Sequence, residues 1–299
     1  MNYRLTLAMF AVLALAAAPL ASRADAPDAN RLFADSRLLS GDRISVEVIG
    51  TGPDVVLIPG LASSRATFRG TAERLRGRYR LHLVQVAGFA GAAPQSNASG
   101  PVYAPTVEAI RAYIVSAGLK KPAIVGHSLG GLMALQLAAD HPDLPGKLLI
   151  VDALAFYTQL FAGPQATAAG AKPYADQMTK GILAATDPQF AQGAAQTASM
   201  MATAPVDQQT IARWSTASTR NVMATAMVED MTTDLRPRMA AIAVPVTVIY
   251  EAPLAALIQA DYAPVPHKTL IAAAPAAKHF LMFDDPAGFD AALDTFLKS

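Results

Sequence analysis

One stretch of this chain leaves few folds open: Ile124-Val125-Gly126-His127-Ser128-Leu129-Gly130-Gly131. An apolar run, Pro122-Ala123-Ile124-Val125, leads in, and an amphipathic run, Leu132-Met133-Ala134-Leu135-Gln136-Leu137-Ala138-Ala139, leads out. That pattern predicts strand, sharp turn, helix, with Ser128 at the apex. So tight a turn strains the apex backbone and brings strand and helix too close for side chains on the flanks. Gly126 and Gly130 meet that demand,. A serine held out on such a turn is a candidate nucleophile.

Strand and helix patterns alternate on both sides of this turn. Arg43–Ile49 alternates apolar and polar residues, which predicts a half-exposed strand, after a polar arm over residues 25 to about 40,. Val55-Val56-Leu57-Ile58 is a continuous apolar strand of the kind buried on both faces of a parallel sheet,. Arg65–Arg78 has helical spacing, and Leu81–Val86 is the next strand. Thr106–Ala117 is a helix expected to turn Val107, Ile110, Ile114 and Val115 inward. Lys147–Asp152, Val244–Tyr250 and a shorter Lys268–Ile271 are further strands, and Gly288–Lys298 is a last helix that packs Phe289, Leu293, Phe296 and Leu297. Between Phe156 and about Pro237 the rhythm breaks into helical segments rich in Ala, Gln, Met and Thr, holding the only tryptophan, Trp214. The expectation is a doubly wound, mostly parallel α/β sheet with an inserted helical cap. Its core covers residues 25–154 and 238–299, and its cap 155–237. In such sheets ligands bind outside the carboxyl ends of the strands, where Ser128, Gly60-Leu61 and Asp152 fall.

The Gly-x-Ser-x-Gly turn in this setting resembles the nucleophile elbow of the α/β-hydrolases,. Two further segments carry the likeness. Pro59-Gly60-Leu61 resembles the family's oxyanion loop, where many members have His-Gly. Ala277-Lys278-His279-Phe280-Leu281-Met282, followed by Asp285-Pro286, resembles its histidine loop. The resemblance implies that His279 is the base for Ser128, and that the N–H groups of Leu61 and Leu129 form the oxyanion hole. It also implies an acid. Most members carry it just past the strand that here ends at Tyr250, but the chain reads Glu251-Ala252-Pro253-Leu254. Asp152, at the end of the preceding sheet strand, and Glu251 are the candidates, with Asp261 a distant third and no acid at all a further alternative.

The implied activity is hydrolysis of carboxylic esters of small or medium acyl groups through an acyl-enzyme. Lactones, thioesters, peptides and carbon–carbon bonds are open to the same residues. Serine at the apex argues against haloalkane dehalogenases and epoxide hydrolases, which need aspartate there. The alternative expectation is a catalytically weak ligand-binding or accessory protein on this scaffold, motivated by the missing acid.

Composition limits the remaining choices. Of 299 residues, 53% are hydrophobic and 16% charged, which supplies a large core and argues against disorder,. A formal net charge of +1 gives no field for nucleic acid, and the absence of cysteine excludes disulfides and thiol chemistry,. No cofactor or metal motif stands out, and the expected partner is a small-molecule ester. Arg4, the apolar run Leu5–Ala18, and Ser22-Arg23-Ala24 predict a secretory signal over residues 1–24, cleaved after Ala24 or less favourably after Ala26,. The apolar run is shorter than the roughly 20 residues of a spanning helix. The expected address is therefore periplasmic or secreted, without stable membrane insertion after cleavage.

Overall fold

The computed structural model describes residues 31–299. The expected signal segment lies outside the described residues.

Eight strands form one sheet: β1 (Arg37–Ser40), β2 (Ile44–Ile49), β3 (Asp54–Ile58), β4 (Arg80–Val86), β5 (Ala123–His127), β6 (Lys147–Val151), β7 (Val246–Tyr250) and β8 (Lys268–Ala272). Their order is β1-β2-β4-β3-β5-β6-β7-β8. β2 is antiparallel to β1 and β4, and every other neighbouring pair is parallel. The chain thus starts at one edge, crosses to the middle, and winds out to the other side.

The central strands explain why two layers of helix are needed. Val56, Ile58, Ile124, Leu148 and Ile150 face one apolar core; Val55, Leu57, Val125, Leu149 and Val151 face a second. Alternate residues of one strand must point to opposite faces, so continuous apolar strands expose both faces to cover. The second core is covered by α1 (Arg69–Leu75), through Ala72 and Leu75, with Phe68 just before it. α2 (Tyr103–Ser116) and α3 (Leu129–Asp140) cover the first.

Five helices follow β6: α4 (Gln159–Ala162), α5 (Ala168–Ala184), α6 (Asp187–Met201), α7 (Pro205–Ala217) and α8 (Arg220–Thr232). α5 packs on α8, and α6 on α7. No strand occurs among them, as the broken rhythm predicts. After β7 come α9 (Ala255–Tyr262), whose Ile258 and Tyr262 join the first core, α10 (Leu281–Asp284) and α11 (Pro286–Lys298). Phe289, Leu293, Phe296 and Leu297 of α11 are all buried, as expected. Among the described residues no helix is long and apolar enough to cross a membrane.

Two expectations about what is free or buried need correction. Residues 31–40 are not a free polar arm. Glu47 on β2 is fully buried and accepts hydrogen bonds from the N–H groups of Leu32 and Phe33 and from Ser36 Oγ, which seats β1 on the sheet edge. Val115 does not face inward: it is 57% exposed, because one residue past Ile114 is a 100° turn of the helix away from the core,.

Candidate active site

The elbow has the geometry its glycines imply. Ser128 follows β5 and precedes α3, with φ 54° and ψ −124°, a region that L-residues rarely occupy,. A side chain at Gly126 would lie 2.7 Å from Gly131 Cα, and one at Gly130 2.6 Å from the Pro59 carbonyl oxygen. Backbone stands in the way at both positions, so the turn admits only glycine there. The first turn of α3 leaves its leading N–H groups without intrahelical partners, and that of Leu129 is the first of them,. The Pro59-Gly60-Leu61 loop lies against the elbow: a Cβ at Gly60 would meet Ser128 Cβ at 3.0 Å and His127 Nδ1 at 3.1 Å.

His279 comes from the loop after β8. Its Nδ1 faces Asp152 Oδ2 at 2.7 Å, with the Asp152 side chain almost fully buried. Asp152 stands just past β6 at φ 49°. Its other oxygen, Oδ1, accepts the N–H of Glu251 at 2.8 Å. Asp152 is therefore held from two directions and turned toward the histidine. His127 binds the histidine loop to the elbow: its Nε2 donates to the His279 carbonyl at 3.1 Å, and the two rings lie 4.7 Å apart. Burial keeps His127 neutral, with its pKa far below the ordinary value,. With Nδ1 of His279 engaged by Asp152, Nε2 is left for Ser128. No hydrogen bond joins Ser128 Oγ to any described residue, and such contacts are often loose before a substrate binds.

Three forces act on His279. Burial lowers its pKa, but the hydrogen bond and charge of Asp152, with the charges of Glu251 and Asp230, outweigh burial and raise it above 6.5,. Burial and the neighbouring Asp152 charge push the Glu251 carboxyl up to about 7. Asp152, Glu251 and His279 have donor atoms within 4.8 Å of one another and include the ligand types of a metal site. Both Asp152 oxygens, however, already face protein donors.

Of the residues expected at the site, Ser128, His279, Asp152, Leu61 and Leu129 converge at the carboxyl ends of β3, β5 and β6. Glu251 lies beside them but supplies Asp152 with its backbone N–H. Asp261 is elsewhere: it accepts from Ala155 N–H at 2.8 Å and from Gln159, which fastens the segment after Asp152. Asp285 caps α11 by accepting Gly288 N–H at 3.0 Å.

The helical insertion grips both sides of this region. Phe280 N–H donates to Met201 O at 3.0 Å, and Lys278 Nζ to Ser199 O at 2.7 Å. Trp214 packs against Phe280 and Phe283. On the opposite side, Glu229 accepts the N–H groups of Val102 and Tyr103 at 3.0 and 2.7 Å. One acid whose charge reaches the histidine escaped the sequence reading. Asp230 of α8 is 8% exposed, and its charge acts on His279. The available signal was an acid four residues after Ala226 and seven after Met223, on what is otherwise the buried face of a helix,.

Comparison with known proteins gives a concordant result. The family model described as "Alpha/beta hydrolase family" matches residues 55–292. A pimeloyl-[acyl-carrier protein] methyl ester esterase of Aeromonas hydrophila is 38% identical over 110 residues, 36% of this chain and 41% of that protein. The chain thus matches about two fifths of the length of such curated relatives. Among solved structures, a hydrolase from Pseudomonas aeruginosa aligns with a TM-score of 0.74 at 21% identity, over 89% of this chain and 99% of that one. An esterase from Exiguobacterium antarcticum aligns with a TM-score of 0.73 at 21% identity, over 86% and 96%. Likeness at that identity speaks to fold alone, but the family model spans the sheet, the elbow and the histidine loop together. The chain belongs to the alpha/beta hydrolase family.

Proposed function

We propose that this protein is a serine hydrolase of carboxylic esters with small or medium acyl groups, working through Ser128, His279 and Asp152. One observation carries the reading: the 2.7 Å contact between His279 Nδ1 and buried Asp152, beside a serine on a strained elbow. The same contact removes the motive for a catalytically weak binding protein, which was the lack of an acid near the histidine.

In this reading His279 Nε2 takes the Ser128 Oγ proton as Oγ attacks the ester carbonyl carbon. The oxyanion is held by the N–H groups of Leu61 and Leu129. Asp152 fixes the histidine tautomer and stabilises the imidazolium. Collapse breaks the acyl–oxygen bond, and the alcohol leaves with the proton from His279. Water then gives a proton to His279 and attacks the acyl-enzyme, and the second collapse frees the acid and restores Ser128. Glu251 keeps Asp152 in place through its backbone N–H.

The insertion of residues 155–237 acts as a cap in this scheme. It supplies the apolar walls of the acyl or leaving-group pocket, and Met223 and Met231 are its buried methionines,. The substrate is a small-molecule ester, without nucleic acid, cofactor or metal in the cycle. The signal pattern of residues 1–24 supports a periplasmic or secreted address for the mature enzyme,. The test is hydrolysis of p-nitrophenyl esters from acetate to decanoate by the mature protein. Activity should peak at short or medium chains and vanish in Ser128→Ala. Activity that survives in Ser128→Ala would overturn the mechanism.

A further inference from the structure

A loop that lends a backbone N–H to an oxyanion cannot spend that N–H on its own fold. Here the loop is Pro59–Ser64, between β3 and the 3-10 turn Arg65–Phe68, and it lies against the elbow at Gly60. Its internal bonds are few: Ser63 N–H donates to Gly60 O at 3.2 Å, and Ser63 Oγ to Leu61 O at 3.2 Å. Those bonds shape the loop without fixing it to the sheet. Ala62, directly after Leu61, is buried and holds φ 54°, a left-handed value that an alanine keeps only when its surroundings enforce it,.

The enforcement comes from β4. Leu81 and Leu83 of that strand face the second core, and two residues on, the same face carries Gln85,. An apolar residue would suit that position, yet Gln85 is fully buried. A buried amide is costly unless both of its ends are bonded, and here both are. Oε1 accepts the Arg65 N–H at 2.9 Å. Nε2 donates to the Ser63 carbonyl at 3.3 Å, to Val86 O at 3.3 Å and to Phe89 O at 3.1 Å. One side chain thus grips the loop on either side of Ser64. The Arg65 side chain secures the same end to β2: its buried guanidinium lies 3.4 Å from Glu47 Oε2 and also bonds Ser45, the residue that pairs with Gln85 across β2 and β4.

We propose that Gln85 is a positioning residue for the oxyanion hole, holding the Pro59–Ser64 loop so that the Leu61 N–H stays aimed at the oxygen of the tetrahedral intermediate. The proposal rests on the serine hydrolase reading and deepens it. Gln85 touches neither substrate nor the Ser128–His279 pair. Its loss should therefore weaken transition-state binding while leaving substrate binding and the titration of His279 alone.

The test compares wild type with Gln85→Met, which keeps the length of the side chain but can neither accept from Arg65 nor donate to Ser63. With p-nitrophenyl butyrate, kcat should fall about 10- to 100-fold, KM should move less than about threefold, and the pH midpoint of kcat/KM should stay in place. A second readout is inhibition by 1,1,1-trifluoro-2-heptanone. Ser128 Oγ adds to its carbonyl carbon, the proton passes to His279, and the ketone oxygen becomes an oxyanion. Its inhibition constant should rise by about the factor lost in kcat. Gln85→Met that is less stable in urea but keeps its kcat and its ketone affinity when folded would overturn the proposal, because Gln85 would then serve packing alone. A shifted pH midpoint would overturn it too, since the loss would lie with the base. Should Gln85→Met fail to fold, Gln85→Glu decides in its place: at pH 8 its carboxylate still accepts from Arg65 but has no donor for Ser63. The same split between kcat and KM is expected, and an unchanged kcat would overturn the proposal. Wild type that neither cleaves esters nor binds the ketone would sink the hydrolase reading and this proposal with it, whereas an active wild type with an equally active variant sinks this proposal alone.

Discussion

Replacing Asp152 by Asn tests which of two neighbouring acids serves the histidine. The side chain keeps its shape, and its oxygen can still accept Glu251 N–H, now 2.8 Å away. The amide nitrogen then takes the place of Oδ2, 2.7 Å from His279 Nδ1. Two donors cannot face each other, so Nδ1 must become the acceptor and Nε2 must carry the proton. That tautomer cannot deprotonate Ser128. In a serine protease the same exchange costs ~10⁴ in turnover, or about 5 kcal/mol of barrier. Here Glu251, with a carboxyl within 4.8 Å of the histidine, can repay part of that loss. We expect kcat for a short p-nitrophenyl ester to fall between about 10³ and 10⁴-fold in Asp152→Asn. Glu251→Gln keeps the backbone N–H on Asp152 and should lose less than about tenfold. Circular dichroism and urea unfolding would establish that both variants are folded. A larger loss in Glu251→Gln than in Asp152→Asn would refute the assignment of the acid.

Other outcomes follow from the same geometry. His279 works as a base only when neutral, and its pKa is raised above 6.5, so kcat/KM should fall as pH drops through a midpoint above 6.5,; in Asp152→Asn that midpoint should move down, and a pH–rate profile reads it. The folded chain holds the Asp230 proton up to about pH 7 against 3.8 for a free carboxyl, so stability should fall as pH rises from about 4 to about 7, by at most about 4 kcal/mol from this group,. Urea unfolding at pH 5 and pH 8 should therefore show a smaller drop in Asp230→Asn than in wild type, and an equal drop would refute the burial argument. Gly130→Ala drives a Cβ onto the Ile58 and Pro59 carbonyls and should destabilise by about 3 kcal/mol,. Gly70→Ala, in α1 with open space around it, should gain up to about 1 kcal/mol,.

What could be read in advance follows from where each signal resides. β3, β5, β6 and β7 are buried on both faces, so their apolar runs mark them without help from the rest of the chain. β1 carries no such mark: Arg37-Leu38-Leu39-Ser40 becomes a strand because β2 offers an edge and Glu47 holds the preceding segment. α2 starts at Tyr103, three residues before the expected Thr106, because Glu229 caps its free N–H groups from 126 residues away. The Arg65–Arg78 helix is in fact a 3-10 turn, Arg65–Phe68, followed by α1. The acid stayed ambiguous for a geometric reason. Val151 pairs with Ile249 across parallel β6 and β7, so Asp152 and Glu251 emerge side by side at the same end of the sheet. Only the turn of the backbone at Asp152, to φ 49°, aims one carboxyl at the histidine, and no local pattern encodes it. Ser128 and His279 were legible because each lies in a short motif whose neighbours are constrained with it. Asp230 belongs to no motif, and its significance depends on a histidine 49 residues further along the chain.

The central claim is that Ser128 is a nucleophile activated by His279. Its most direct measurement is covalent labelling by a fluorophosphonate, with the adduct located by peptide mass mapping, in wild type, Ser128→Ala and His279→Ala. Stoichiometric labelling on Ser128 in wild type, none in Ser128→Ala, and labelling slowed by orders of magnitude in folded His279→Ala is the expected result. Folded wild type that stays unlabelled, or that labels at another residue, would contradict it.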